Sequence, residues 1–239
     1  MVIGRRDFLR TGFLAASVLD LSKGAAAYPL PYKRPDLLQQ VENASVQLFT
    51  AFSTKDGQVV EISQGSGTVF KSKNGHYYIS TNWHVTSNKD YSFKGYKSST
   101  YIPYGPVLDT YELIVNEPSL DLSILRTATD LSYRVLADYR ELLNGNSRPA
   151  KGDSLLVIGY RNGIYGWRPG SVLNIEESHN YPVGSHACIK CVSTAWKGNS
   201  GSSVLKLTET NLEWVGIYHA NDPLEGDLLN IKERKIINI

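Results

Sequence analysis

The chain has 239 residues, with 25 Lys and Arg against 23 Asp and Glu and a formal net charge of +2. This length supports one large or two small domains with a sizeable core, without help from disulfides or metal. The near balance of charge excludes a polybasic surface for nucleic acid or anionic membrane, and two cysteines exclude a disulfide scaffold.

The N-terminus reads as an address. Arg5-Arg6-Asp7-Phe8-Leu9 is followed by an apolar run from Gly12 to Leu19 and by the small-residue stretch Ala25-Ala26-Ala27. This is the pattern of a twin-arginine export signal over residues 1–27. The apolar run is well short of the roughly 20 residues of a membrane span. Removing the signal takes away four basic and two acidic side chains and leaves 21 of each. The expected partners are the twin-arginine export machinery and a peptide or protein substrate, with no nucleic acid and no stable membrane association after signal removal. The expected location is periplasmic or secreted, in a bacterium.

Residues 28–42 read as an N-terminal arm, whose proline-rich stretch Tyr28 to Asp36 is extended. Strand patterns follow. Val46, Leu48 and Thr50 alternate with Gln47, Phe49 and Ala51, and Val59 to Ile62 comes next. Gly67 to Phe70 and Tyr77 to Ile79 flank Lys73-Asn74-Gly75, a hairpin turn signal. Tyr111 to Val115 and Leu122 to Leu125 complete a first group over residues 43–135. A polar stretch with a short helix near Leu136 to Leu143 forms a linker over 136–151. A second group over 152–239 contains Leu155 to Gly159, Ser171 to Ile175, Val204 to Leu207 and Trp214 to Tyr218, the last two forming a hairpin across Thr208 to Asn211. Many short strands with Gly and Asn turns and few helices indicate an all-β fold of two barrels with a cleft between them.

Cys188 and Cys191 form a C-x-x-C pair. In an oxidising compartment it suits a local disulfide or two structural thiols. Redox catalysis favours a helix start, which the flanks lack. His186 adds a third possible ligand with no fourth nearby, so neither metal nor cofactor is expected.

Three segments carry the chemistry: Thr81-Asn82-Trp83-His84-Val85, Leu120-Asp121-Leu122, and Gly198-Asn199-Ser200-Gly201-Ser202. A serine hydroxyl is protonated at neutral pH and needs an imidazole to take its proton during attack. The imidazole needs a carboxylate to fix its tautomer and stabilise its charge. The oxyanion that develops needs pre-aimed N–H donors. His84, Asp121 and Ser200 fit the first three roles, and the Gly198 and Ser200 N–H groups fit the last. His84 and Asp121 fall in the first strand group and Ser200 in the second, so the three meet across the cleft.

These segments resemble the chymotrypsin-like serine peptidases, in detail the bacterial high-temperature-requirement and glutamyl endopeptidase types. The matching motifs are Thr81 to Val85, Gly65-Ser66-Gly67, Asp121 to Leu125, Gly152-Asp153 through Gly159-Tyr160, Gly170-Ser171-Val172 and Trp214 to Ile217. The resemblance implies two six-stranded antiparallel β-barrels packed face to face and a serine endopeptidase acting through an acyl-enzyme. By position it also implies a substrate pocket with Thr194 at its base and Tyr218, His219 and Ala220 along its wall. Neither Asp nor Glu stands at that base, so a preference for Arg or Lys is not implied. His219 with Thr194 suits an acidic side chain, and a pocket narrowed by Tyr218 suits a small apolar one. Two departures stand out: Ser202 replaces a second glycine, and Asn199 occupies the place of the Asp that a freed N-terminus pairs with in the trypsin branch. The competing reading is a non-catalytic peptide-binding module on the same fold. An α/β-hydrolase is excluded, because its order is Ser, acid, His.

Overall fold

A computed structural model describes residues 35–71, 76–87, 97–102, 111–127, 130–132, 149–181, 184–193, 198–208, 212–219 and 225–229. The twin-arginine segment, the Lys73-Asn74-Gly75 turn and the expected helix near Leu136 lie outside them.

The chain enters through helix α1 (Pro35–Ala44), which begins at Pro35 and Asp36, where extended chain was expected. Proline at a first helical position costs nothing in hydrogen bonding, since that N–H has no helical partner. Val41 and Ala44 are fully buried, and Ser45 Oγ donates to Val41 O (2.8 Å), leading the helix straight into the first strand.

Among the described residues, twelve strands follow. The first six are β1 (Ser45–Ser53), β2 (Val59–Lys71), β3 (Tyr77–Thr81), β4 (Lys97–Tyr101), β5 (Tyr111–Glu117) and β6 (Leu122–Thr127). They form one antiparallel sheet in the order β4-β1-β2-β3-β6-β5. The second six are β7 (Ser154–Arg161), β8 (Ile164–Tyr181), β9 (Gly184–Ser193), β10 (Ser203–Leu207), β11 (Leu212–His219) and β12 (Glu225–Leu229), and they close into a barrel in the order β10-β11-β12-β9-β8-β7. The all-β class and the six-plus-six division follow the sequence reading. The first set differs in one respect: its outer strands β4 and β5 form no ladder with each other among the described residues. Tyr111 OH instead donates to Ser98 O (3.3 Å) between them. The short, polar β4 has few residues with which to complete a seam.

Each set encloses its own core. Val46, Leu48, Val69, Ile79, Val85 and Leu125 meet inside the first, and Leu155, Val157, Val172, Val204, Val215 and Tyr218 inside the second. Burying a side chain of this size contributes about 1.5–3 kcal/mol. Strand β1 is buried along nearly its whole length, not on one face. It packs against β7 as well as the first core, and its Thr50 hydroxyl is satisfied by Thr100 Oγ1 at 2.9 Å.

Both cysteines lie in β9. Cys191 packs into the second core.

Candidate active site

Strand β3 ends at Thr81, and the chain turns at once into the single helical turn α2 (Trp83–Thr86), which carries His84. A short 3-10 turn (Pro118–Leu120) leads into β6, with Asp121 as its C-cap in the left-handed conformation (φ 50°, ψ 42°). Asp tolerates that region better than most side chains. The two turns are locked to each other through Asp121. Its carbonyl oxygen accepts from Trp83 N and Asn82 Nδ2, both at 3.0 Å. Its Oδ1 accepts from the His84 backbone N–H at 2.9 Å, and its Oδ2 lies 2.7 Å from His84 Nδ1. The orientation of the imidazole is thus set by backbone as well as side-chain bonds.

A second histidine reaches the same carboxylate. His219, on β11, places Nδ1 3.0 Å from Asp121 Oδ2. The His84 side chain is 42 % exposed, whereas those of Asp121 and His219 are 6 % and 3 % exposed. Burial alone would raise the Asp121 carboxyl pKa. The electrostatic pull of His84, the hydrogen bonds from His219 and His84 and the pull of His219 outweigh it and hold the group well below the usual carboxylate range. Asp121 therefore stays ionised and acts as an acceptor only. His84, Asp121 and His219 also lie within metal-ligand spacing of one another. Their Nδ1 to Oδ2 contacts of 2.7 and 3.0 Å are of hydrogen-bond length.

Ser200 sits on a turn between Gly198 (φ 93°) and Gly201 (φ 84°). Both values favour glycine, and close packing excludes a side chain at either position. A β-carbon on Gly201 would overlap Ser66 O, and one on Gly198 would lie 2.9 Å from Asn162 N and Tyr160 O. The turn is tied to β2: Ser66 N donates to Ser200 O (2.7 Å), and Ser66 Oγ donates to Gly198 O (2.8 Å) while accepting from Tyr160 N (2.9 Å). It is tied to β11 by Gly201 N to Tyr218 O and by Tyr218 N to Ser202 O, both at 2.8 Å. Gly65 connects this turn to α2, since a β-carbon there would lie 2.5 Å from Val85 Cγ2 and 3.0 Å from Ser200 O. The backbone of Ser200 and the residue after His84 therefore pack against one glycine.

The two sequence departures have local explanations. Ser202 is buried, and its hydroxyl fills the space above Gly159. Asn199 is buried too, and its amide donates to Ser202 Oγ at 3.4 Å.

Two of the four expected pocket residues lie among the described residues, and both are buried. Successive residues of a strand face opposite ways. Tyr218 points into the second core, and His219 points the other way, onto Asp121. Thr194 and Ala220 lie outside the described residues. The partnership between His219 and Asp121 was missed in the sequence. The signal available was a histidine ending a strand that otherwise reads as core.

Comparison with known proteins agrees with this architecture. The trypsin-like peptidase domain family matches residues 65–217. The serine protease Do-like HtrA of Bacillus subtilis is 28 % identical over 210 residues, covering 81 % of this chain. The chain spans less than half, 45 %, of that protein's length. Among solved structures, the active form of the Rv3671c protease from M. tuberculosis superposes with a TM-score of 0.58 at 18 % identity, covering 82 % of this chain and 80 % of that one. A serine-to-alanine variant of the HtrA-type protease AlgW, solved with a tripeptide, gives a TM-score of 0.59 at 19 % identity, covering 82 % of this chain and 59 % of that one.

Proposed function

From the premise that the chain belongs to the trypsin-like peptidase family and is a serine protease, we propose that it is an endopeptidase in which Ser200 is the nucleophile, His84 the base and Asp121 the orienting carboxylate. The observation that carries this reading is the His84 Nδ1 to Asp121 Oδ2 bond of 2.7 Å, on a turn whose Val85 packs against the same Gly65 as the backbone of the glycine-flanked Ser200. Ionised Asp121 can only accept, so His84 Nδ1 carries the proton and Nε2 is left to accept.

On this reading Ser200 Oγ attacks the scissile carbonyl as its proton passes to His84 Nε2. The resulting oxyanion is held by the Gly198 and Ser200 N–H groups, a kind of donor whose loss costs about 3–4 kcal/mol. Collapse breaks the C–N bond, and the proton on His84 goes to the departing amine, leaving an ester on Ser200. Water then attacks the ester, gives its proton to His84 and releases the acid, and the Ser200 proton returns.

Residues 1–27 are assigned as a twin-arginine export leader, and the mature protein is assigned to the periplasm or the medium, with peptides or proteins as substrates. Incubating the purified chain with a mixed peptide library tests the activity. Cleavage by the wild type and none by Ser200→Ala fits the proposal. A folded wild type that binds peptides without cutting them would instead identify a binding module.

A further inference from the structure

Asp121 Oδ2 is shared by two imidazoles from different halves of the fold, His84 on α2 and His219 on β11. An ionised carboxylate has no proton to offer, so both Nδ1 atoms must donate. The ring centroids are 6.2 Å apart and the planes differ by 52°, so the rings do not stack and reach the oxygen from different directions. With Oδ1 taken by the His84 backbone N–H, the carboxylate is held at both oxygens and from both sides of the cleft.

We propose that His219 is a positioning residue for the reacting pair: its Nδ1–H fixes the rotation of the Asp121 carboxylate and draws part of that group's charge away from His84. This rests on the assignment of His84, Asp121 and Ser200 made above. Without the His219 donor, the carboxylate is free to turn away from its productive orientation, and kcat falls. In addition, its charge then stabilises only the His84 imidazolium, which keeps its proton to higher pH. Any positive charge on His219 itself acts in the same direction, by repelling a proton on His84. Among the described side chains, these two histidines are the titratable groups acting on Asp121. Glu117 caps the same 3-10 turn through Ser119 N, and Asp227 occupies the register position opposite His219 on β12. Strand β9, which packs against that turn, contributes Cys191 to the second core.

The test compares His219→Ala with His219→Asn, whose side-chain amide can place an N–H near the position of Nδ1. The Ala variant is expected to lose about tenfold in kcat with little change in KM, and its acid limb of kcat/KM is expected to move up by about half a pH unit. The Asn variant is expected to return the limb toward the wild-type position. A merely structural residue would reduce the amount of folded protein without moving the limb. An unmoved limb in the Ala variant, or an Asn variant that behaves like Ala, overturns the proposal. A second measurement needs no turnover. Nitrogen-15 histidine NMR of Ser200→Ala should show two low-field Nδ1–H protons, with one lost and the other shifted in Ser200→Ala/His219→Asn. A single such proton in the parent also overturns the proposal. Failure of the wild type to cut peptides would sink the proteolytic assignment while leaving this spectroscopic result to stand or fall alone.

Discussion

Gly159 and Ser202 are sterically complementary: a β-carbon on residue 159 would overlap Ser202 Oγ and lie 2.8 Å from Ser202 Cβ. The serine that stands beside the Ser200 turn is accommodated because a strand of the second barrel has no side chain there. Gly159→Ala should therefore destabilise the fold by about 1–3 kcal/mol, the usual cost of overpacking, and lower kcat/KM by displacing the Ser200 turn. Adding Ser202→Gly should recover part of both losses. A double-mutant cycle measured by urea unfolding checks this, because residues in contact couple where distant ones do not.

Ser66 is expected to be the most sensitive hydroxyl outside the reacting group. Its Oγ joins Gly198 O to Tyr160 N, and all three groups belong to the framework under the turn. Ser66→Ala leaves a buried carbonyl and a partly buried N–H without this partner, at about 1–3 kcal/mol per unsatisfied group. In a chain of this size each kcal/mol lowers Tm by roughly 2–4 °C. Calorimetry should therefore show a drop of several degrees, accompanied by a fall in kcat.

The charge state of Asp121 makes two predictions with the same sign. Its carboxyl pKa is lowered from 3.8 in the folded state, so the native protein binds fewer protons than the unfolded chain as pH falls through this region. The contribution to stability is complete above about pH 4 and is lost as pH drops toward the folded value. Asp121→Asn should remove this part of the acid-unfolding slope. It should also reduce kcat by about 10⁴, because the amide no longer enforces the His84 tautomer.

Cleavage by the wild type should itself fall on the acid side as His84 takes up a proton and can no longer accept one from Ser200. Measuring kcat/KM from pH 5 to 9 checks this, and a flat profile would contradict the role given to His84.

Most of the fold was legible because core strands announce themselves by apolar runs or by alternation. Leu155 to Gly159 and Trp214 to Tyr218 are apolar runs bounded by turn residues, and both are strands. Lys97 to Tyr101 and Glu225 to Leu229 are not apolar, and they become strands only by pairing with β1 and with β9 and β11. Such tertiary pairing overrides local propensity. Pro35 was read as a mark of extended chain, although proline also opens helices; Val41 and Ala44 show the apolar spacing that settles the choice. At the site, the motifs identified His84 and Asp121, whose contact follows from two turns locked by backbone bonds. The contact of His219 with Asp121 was not legible, because which residue a strand end reaches depends on the strand's register in a closed barrel.

The most direct test of the account is mapping the adduct formed by a fluorophosphonate, which reacts with serines activated by a neighbouring base. The account predicts one adduct per chain, on Ser200, at a rate that collapses in His84→Ala. Folded protein that stays unmodified, or that carries its adduct on another serine, would contradict it.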